Sequence, residues 1–421
     1  MPSIEELYAL EILDSRGRPT VQATCTLGSG ACGTASVPSG SSTGRAEAWE
    51  LRDGDPSRYG GLGCRTAVTN INGEIRRALS GREMACQAEL DRQLCELDGT
   101  STKARLGANA ILAVSIAFAR AVAQAQAQPL FGYFAGLLGA TPRLPQLTVN
   151  LFSGGKHAGG QVPIQDVLVV PSSARCVDEA LAMVYAVYQA ATALCLDKYG
   201  MRALTADEGG LAPPFLNADA MICDAVMAIE RAGLRPGEDI DLAVDVAASH
   251  FFADGCYWLG HERLASHGMI TRIRAWLDRY PIISVEDGLA EDDWAAWPDL
   301  NTVLQGRALT LGDDLLCTNP ARIPRAVEQY AANALLLKVN QVGTLTEAAE
   351  ACRLARAAGW AVVVSARSGE TEDSWLADLA TGWAGDFIKV GSITQSERLA
   401  KYNRLLEIEA RHRLPFGGDH H

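Results

Sequence analysis

The chain has 421 residues, of which 48% are hydrophobic, so it is long enough for two domains or for one barrel with an added module. Its 37 basic and 50 acidic residues give a formal charge of −13, which argues against a nucleic acid or an anionic membrane as partner. The 11 cysteines are dispersed without a C-x-x-C pair, and the acidic start MPSIEELYALEI lacks the features of a signal peptide. Both observations predict a cytoplasmic protein with reduced thiols.

The first third of the chain mixes strand-like and helix-like stretches. PTVQATCTL (19–27) predicts a strand, and the stretches 74–97 and 108–126 predict helices. The second of these is rich in alanine, is interrupted by Arg120 and is too short for a membrane span, so we expect a buried helix. Strands followed by helices predict a small α+β domain, which the Gly- and Pro-rich segment 136–146 would link to the rest of the chain.

Beyond this segment, apolar and β-branched runs recur between helical stretches. The predicted strands are LTVNLF (147–152), DVLVV (166–170), DLAVDV (241–246), PIISVED (281–287), ALTLGDD (308–314), ANALLLKVN (332–340), WAVVVSAR (360–367) and DFIKVG (386–391). Strands that alternate with helices in this way predict an α/β fold with a parallel (β/α)8 barrel. A doubly wound open sheet is the alternative, but no G-x-G-x-x-G motif follows a strand, and GLGCRT at Gly61 fails at its last position.

Charged residues stand where most of the later strands end. They are Asp245, Glu286, Asp313 with Asp314, Lys338, Arg367 and Lys389. Taken singly, such a residue usually does no more than reach solvent. In a barrel, however, the carboxyl ends of the strands converge on one mouth, so these side chains would meet there. Three carboxylates without His or Cys indicate Mg²⁺, and three facing cations indicate a polyanionic substrate with carboxylate and phosphate groups.

Two further features suggest how such a site would act. Lys338 follows the apolar run ALLL, where burial should lower the pKa of its ammonium group and suit it to be a general base. The alternative is a lysine that only pairs with a carboxylate. Glu208, before the paired glycines of TADEGGLAPP, could act as a general acid. The stretch VPSGSSTG (37–44) is typical of an active-site lid, although most Ser- and Gly-rich stretches are ordinary loops.

Long segments of the sequence resemble enolases, in enolase order. They include EILDSRGRPTV, VPSGSSTG, LDGTSTKARLGANAIL, GGKHAGG, DEGGLAP, ISVEDGLAEDDW, LGDDLLCTN, LLKVNQVGTLTE, SARSGETEDS and SERLAKYNRLLEIE, and they cover almost the whole chain. The resemblance implies an N-terminal α+β capping domain (1–135) and a C-terminal enolase-type barrel (136–421) whose first connections are irregular. It also implies a homodimer and the reversible dehydration of 2-phosphoglycerate to phosphoenolpyruvate with two Mg²⁺ ions.

The resemblance also implies roles for individual residues in metal binding and proton transfer. The residues that resemble ligands of the first Mg²⁺ are Asp245, Glu286 and Asp313. Ser42 in the lid resembles a ligand of the second. Lys338 matches the base that removes the α-proton, and Glu208 matches the acid that helps hydroxide to leave.

Substrate contacts follow from the same resemblance. Gln165 and Lys389 match contacts to the substrate carboxylate, whereas Arg367 and Ser368 match contacts to its phosphate. His157 matches a histidine of a mobile loop. The expected partner is therefore a small phosphorylated carboxylate.

Departures from the enolase pattern lie beside the expected site. Enolases have Gln-Glu where this chain has Gln165 and the candidate catalytic residue Asp166, and Ser-His-Arg-Ser where this chain has Ala366 in place of the histidine. Shortening Glu to Asp withdraws a carboxylate by about 1.5 Å. A displacement of that order at an active site costs about 100-fold in rate. Further departures are Ser153, Ala206 and His250.

Three functional interpretations remain open on this basis. The first is a glycolytic phosphopyruvate hydratase, a Mg²⁺-dependent lyase. The second is an enolase-derived synthase of phosphonate natural-product biosynthesis, resembling carboxyphosphonoenolpyruvate synthase, with a phosphonate-bearing partner beside Ala366. The third is a catalytically silent paralogue kept as a binding or structural protein, against which the retained Lys338, Glu208 and metal carboxylates argue.

Overall fold

The computed structural model describes residues 1–41, 43–200 and 204–417, and its N-terminal part is an α+β unit. The strands of this unit form an antiparallel sheet in the order β1 (Ile4–Leu13), β2 (Pro19–Leu27) and β3 (Cys32–Ser36). The helices are α1 (Arg65–Asn70), α2 (Arg76–Leu79), α3 (Gln87–Asp98), α4 (Ala108–Ala125) and α5 (Leu130–Leu138). The strand predicted at 19–27 and the helix predicted at 108–126 are confirmed, whereas β1 and β3 were not predicted.

Helix α4 forms the centre of the N-terminal unit, and nearly all of its residues are buried. Gly33 of β3 lies against it so closely that a Cβ atom there would stand 2.2 Å from the Ala117 carbonyl oxygen and 2.4 Å from the Ala121 nitrogen. A strand and a helix can approach this closely only where one residue has no side chain. The expectation of a buried alanine-rich helix is therefore confirmed.

The single helix predicted over 74–97 is wrong. A π-helical turn (Ile71–Ile75) leads into α2, and the chain then leaves the helical conformation before α3 begins. Ser80 is extended, and Gly81 has a φ of +77°, which favours glycine and ends the helix. The amide of Gly81 donates to the carbonyl oxygen of Ile4, so pairing with β1 replaces the next helical turn.

The C-terminal part consists of a barrel, a small added sheet and surrounding helices. The barrel strands are β4 (Gln146–Ser153), β5 (Asp166–Val170), β6 (Asp241–Asp245), β10 (Ile282–Glu286), β11 (Leu309–Gly312), β12 (Ala334–Leu337), β13 (Ala361–Ser365) and β14 (Phe387–Gly391). The added antiparallel sheet follows β6 and contains β7 (Phe252–Ala253), β8 (Cys256–Leu259) and β9 (Glu262–Leu264). The helices are α6 (Val177–Tyr199), α7 (Ala218–Arg231), α8 (Ser266–Arg279), α9 (Trp297–Leu304), α10 (Arg322–Glu328), α11 (Leu345–Ala357), α12 (Trp375–Gly382) and α13 (Ser396–Arg411).

The barrel is closed, with each strand beside its neighbour in chain order and β14 beside β4. This confirms the predicted α/β barrel, but the second strand corrects the expectation that all strands are parallel: β5 runs antiparallel to both β4 and β6. The connection between β4 and β5 contains only the 3₁₀ turn Gly155–His157, whereas a parallel return usually requires a helical crossover. Consequently the start of β5 lies beside the end of β4, where Ser153 pairs with Asp166.

Alternate strand residues fill the interior of the barrel with apolar side chains. They are Leu168, Val170, Ala243, Leu311, Ala334, Leu336, Val363 and Phe387. The residues between them, such as Leu335 and Leu337 of β12, belong to the larger core outside the barrel. Because the interior is packed, polar side chains gather at the end of the barrel where the carboxyl ends of the parallel strands emerge.

Within the described residues, two helices, α4 and α6, are long and apolar enough to cross a membrane by length and composition alone. Most of α4 is buried within the protein, as in the core helix of a soluble domain. Of the most apolar window of α6, 39% is buried. One or two such helices are weak evidence for a membrane span.

Candidate active site

Three buried carboxylates meet at the mouth of the barrel. Asp245 and Glu286 are the last residues of β6 and β10 and stand in register with each other, and Asp313 directly follows β11. Lys389, within β14, donates from Nζ to Asp245 Oδ2 at 2.8 Å and to Glu286 Oε2 at 2.6 Å. The fold therefore brings the predicted metal ligands and one predicted substrate contact together.

The charges of this cluster shift the pKa values of its members. Burial and the neighbouring Asp245 raise the pKa of Glu286 well above its usual range. Burial opposes the charged forms of Asp245 and Lys389, but their mutual attraction lowers the pKa of Asp245 to about 2 and raises that of Lys389. One ammonium group thus faces two carboxylates, so the cluster still favours additional positive charge.

Lys338 directly follows β12 rather than lying inside it as predicted. Its Nζ donates to Asp313 Oδ2 at 2.5 Å, and Gln341 Nε2 donates to Asp313 Oδ1 at 2.9 Å. Burial disfavours the ammonium group, but the neighbouring carboxylates, Asp313 foremost and Glu286 after it, together raise the pKa of Lys338. The expectation of a lowered pKa is therefore wrong for this arrangement, because it considered desolvation without the adjacent carboxylate.

A second group of titratable side chains is centred on His157. Its Nδ1 lies 2.9 Å from Asp166 Oδ2, and its Nε2 lies 3.7 Å from Glu208 Oε1. Ser153 Oγ donates to Asp166 Oδ1 at 2.6 Å, and Asn150 Nδ2 donates to Glu208 Oε2 at 3.0 Å. Burial opposes protonation of His157, but the two carboxylates raise its pKa to about 9. The imidazole thus connects Asp166 with the predicted acid Glu208.

The donor set at the mouth fits a hard cation. Gln165, the residue before β5, donates from Nε2 to Asp245 Oδ2 at 3.1 Å, while its Oε1 is buried with no hydrogen-bond partner among the described residues. An acceptor of this kind in a native site indicates an absent ligand, ion or water. Together with the neighbouring carboxylates, it provides only oxygen donors, which Mg²⁺ prefers.

In the part of the chain that the structure describes, two groups of potential ligands have their ligand atoms within 4.8 Å of one another: His157, Asp166 and Glu208, and Asp287, Asp313 and Asp314. Of the predicted ligands, these groups contain Asp313, whereas Asp245 and Glu286 are both held by the ammonium group of Lys389. Asp287 is poorly suited to bind a cation, since its two oxygens accept the backbone N–H groups of Asp313 at 3.0 Å and Asp314 at 2.7 Å.

The segment after β13 meets the predicted lid. Arg367 Nη1 donates to Glu47 Oε2 at 3.0 Å and to Asn340 Oδ1 at 2.9 Å, so an acid from the N-terminal unit holds this guanidinium group. The backbone amide of Ser41 donates to Ser368 Oγ at 2.9 Å. Ser42, the predicted ligand of a second Mg²⁺, lies outside the described residues.

Comparisons with known proteins place this geometry in a family. The model of the enolase N-terminal domain matches residues 4–134, and the model of the enolase C-terminal TIM barrel domain matches residues 141–414. Enolase 1 of Methylococcus capsulatus is 47% identical over 411 residues, which is 97% of either chain. The chain belongs to the enolase family. It is accordingly an enolase-type lyase.

The departures from the enolase pattern lie in or beside the site. Asp166 is fully buried, and both of its oxygens are engaged by Ser153 and His157. Ala366 is buried, and its amide donates to the Lys389 carbonyl oxygen at 2.8 Å. His250 follows β6, where burial and the nearby positive charge of Lys156 lower its pKa to about 4. The substitutions therefore alter the surroundings of the carboxylates.

Sequence reasoning missed several residues of this enolase site. Glu47 faces Arg367, Gln341 holds Asp313, and Asn150 holds Glu208. Gln341 stands three residues after Lys338, a position that the 3₁₀ turn Val339–Gln341 brings back toward the mouth. For Glu47, the only signal was its position shortly after the predicted lid.

Proposed function

We propose that this enolase-family lyase removes the α-proton of 2-phosphoglycerate and forms phosphoenolpyruvate in a Mg²⁺-dependent reaction. The observation that supports the proposal is the convergence of Lys338, Glu208 and three carboxylates on one barrel mouth. A base, an acid and an acidic metal site are the groups that an elimination next to a carboxylate requires.

In this proposal, Asp245, Glu286 and Asp313 hold one Mg²⁺ ion, and Ser42 contributes to a second. The fit rests on the all-oxygen donor set and on the buried acceptor of Gln165. When bound, Mg²⁺ stabilises the negative charge that develops on the substrate carboxylate after proton removal.

Lys338 is proposed as the base, and for this role it must be neutral before it accepts the proton. Its ion pair with Asp313 stabilises the ammonium form, so any contact that takes up the charge of Asp313 lowers the pKa of Lys338. The two groups are therefore coupled, and the protonation state of the base depends on what Asp313 binds.

Glu208 is proposed as the acid that gives a proton to the departing hydroxide. Its contacts with His157 and Asn150 orient the carboxyl group, and Asp166 holds His157 in turn. A glutamate can donate a proton only from its neutral form. Burial favours that form of Glu208, but His157, Arg398 and Lys389 together hold its pKa below the usual value, so Glu208 must first take up a proton, and the protonated His157 beside it carries one.

The cationic side chains are proposed to bind the two anionic groups of the substrate. Lys389 and Gln165 would contact the carboxylate, and Arg367 and Ser368 would contact the phosphate. Arg367 already binds a carboxylate, Glu47, through its guanidinium group, and a planar fork of this kind also suits a phosphate.

The test is direct measurement of phosphoenolpyruvate by ultraviolet absorbance in the presence of Mg²⁺ and 2-phosphoglycerate. We expect Mg²⁺-dependent formation of product, and its complete loss in excess chelator. If the pure, folded protein forms no phosphoenolpyruvate at any Mg²⁺ concentration, the hydratase proposal is wrong.

The synthase of phosphonate biosynthesis is a second candidate, and it rests on the alanine at position 366, which is buried and whose amide donates to the Lys389 carbonyl oxygen. Replacing a histidine with alanine removes a donor and side-chain volume beside Arg367, the proposed phosphate contact. This candidate requires poor conversion of 2-phosphoglycerate and consumption of an enolpyruvate only when a phosphonate-bearing partner is present. A protein with neither activity would be the silent paralogue.

We further propose a capping domain over residues 1–135, a barrel domain over 136–421, a cytoplasmic location and a homodimer. The family models support the boundary, because one match ends at residue 134 and the next begins at residue 141. The exposed side chains of Tyr8 and Leu13 on β1 support contact with a second copy. Light scattering at micromolar concentration distinguishes a dimer from a monomer.

A further inference from the structure

Arg16 connects the N-terminal unit to the proposed phosphate contact. It lies in the turn between β1 and β2, and its Nη1 donates to Ser368 Oγ at 2.9 Å. Its Nη2 donates to the carbonyl oxygen of Ser39 at 3.0 Å and to Asp14 Oδ2 at 3.1 Å. The side chains of Arg16 and Asp14 are only 6% and 0% exposed, so this ion pair is part of the domain interface.

Arg16 and Asp14 pack closely against the backbone of the segment 368–370. Ser39 and Gly369 exchange two backbone hydrogen bonds of 2.8 and 2.9 Å, which join the lid to the segment after β13. A Cβ atom at Gly369 would stand 2.3 Å from both Arg16 Nη2 and Asp14 Oδ2. The ion pair therefore packs directly on a backbone that has no side chain at this position.

Arg16 occupies one of the hydrogen-bonding positions of the Ser368 hydroxyl group. A hydroxyl group has two acceptor sites and one hydrogen to donate. Arg16 Nη1 and the backbone amide of Ser41 use both acceptor sites, at 2.9 Å each. The remaining hydrogen points to Ser41 Oγ, also at 2.9 Å. Ser368 is thus restricted to the role of donor, which matches a phosphate oxygen because that oxygen only accepts.

We propose that Arg16 is a positioning residue for phosphate binding, acting through Ser368 and the lid backbone at Ser39. It fixes the Ser368 hydroxyl group as a donor and holds the lid against the same segment. Because Asp14 balances its charge, Arg16 acts by orientation and contributes little net positive potential. This inference rests on the proposed function, since it assumes that Ser368 contacts a phosphate.

The chain offers a matched control in Arg18, an exposed arginine of the same turn. Its backbone contacts Asp14, with the amide donating to Asp14 Oδ1 at 2.9 Å and the carbonyl oxygen accepting from the Asp14 amide at 2.8 Å. Arg18→Ala therefore removes the same charge and leaves the Ser368 contact intact. Arg16→Lys keeps a positive charge beside Asp14, but an ammonium group cannot replace the planar guanidinium group that bonds to Asp14, Ser39 and Ser368 together. This variant therefore tests the role of Arg16 even if Arg16→Ala fails to fold.

The experiment compares kcat and KM for 2-phosphoglycerate in the full-length Mg²⁺-supplemented protein and in Arg16→Ala, Arg16→Lys, Arg18→Ala, Ser368→Ala and the Arg16→Ala/Ser368→Ala double variant. We expect Arg16→Ala and Ser368→Ala each to raise KM about 10-fold with a smaller change in kcat, because a phosphate contact binds ground state and transition state alike. Arg16→Lys should lie between wild type and Arg16→Ala, and Arg18→Ala should match wild type.

The double variant decides whether Arg16 acts through Ser368. We expect it to resemble the worse single variant, since two residues of one network are not additive. Additive effects, or an Arg16→Ala variant that behaves like Arg18→Ala, would overturn the inference.

A second measurement separates this inference from the proposed function. Inorganic phosphate should raise the melting temperature of the wild type and of Arg18→Ala but not of Arg16→Ala. If the wild type converts no 2-phosphoglycerate yet shows this pattern, the hydratase proposal fails while the role of Arg16 stands. If phosphate does not stabilise the wild type, the role of Arg16 in phosphate binding is refuted.

Discussion

Asp166 and Asp245 stand directly opposite each other in the antiparallel pair of β5 and β6. The first begins its strand and the second ends its strand, so both reach the same mouth of the barrel. The amide of Gln165 donates to the Asp245 carbonyl oxygen at 2.9 Å and extends this pairing by one residue. A reversed strand therefore adds residues from its start to a site that otherwise consists of strand ends.

The proposed metal site predicts that Asp245→Ala, Glu286→Ala and Asp313→Ala each lower turnover by about 100-fold or more, as expected when a cluster that positions reacting groups is disrupted. Mg²⁺ titrations of phosphoenolpyruvate formation measure the effect, with circular dichroism to verify folding. Glu230→Ala, at an exposed position on α7, serves as control and should leave activity unchanged. Full activity of the wild type in excess chelator would refute the metal site.

The proposed base and acid predict different effects on the two halves of the reaction. Lys338→Ala should stop the exchange of the substrate α-proton with solvent deuterium, because no other group is assigned to remove it. Glu208→Gln should slow the loss of hydroxide while exchange continues. Proton NMR in deuterium oxide follows both processes, and undiminished exchange in Lys338→Ala would assign the base to another residue.

The departures at positions 166 and 366 predict that the wild type forms phosphoenolpyruvate slowly and that Asp166→Glu combined with Ala366→His accelerates it. A gain of about 100-fold corresponds to roughly 2.7 kcal/mol of transition-state stabilisation, which one well-placed polar group can supply. The two changes should not be additive, because under the proposed function both act on the same bound substrate and a longer side chain at 166 must also accommodate His157. A wild type as fast as an ordinary enolase would contradict specialisation.

Two glycines predict opposite effects on stability. Gly33→Ala should lower the free energy of unfolding by about 3 kcal/mol or more, because its Cβ would overlap the backbone of α4. Gly136→Ala should raise it by about 0.5–1 kcal/mol, because position 136 is exposed in α5 and its Cβ meets no atom within 4 Å. Urea denaturation measures both, and equal effects would contradict the packing of β3 on α4.

The sequence by itself determined the barrel and the place of its polar mouth. Buried strands such as β12 and β13 are short apolar runs, and their sequence spacing leaves room for the helices that return the chain. Polar residues at the ends of such runs must lie at the mouth of the barrel, because its interior is filled with apolar side chains. For that reason Asp245, Glu286 and Lys338 could be recognised from their positions in the sequence.

Only the tertiary structure decided the direction of β5, the pKa of Lys338 and the contacts of Arg16. The direction of β5 depends on a connection without a regular helix, which apolar periodicity does not describe. The pKa of Lys338 depends on a carboxylate 25 residues away in the chain, and the contact of Arg16 with Ser368 spans 352 residues. Periodicity and local spacing report which face of an element is buried, whereas the partner of a buried charge is set by how distant elements pack.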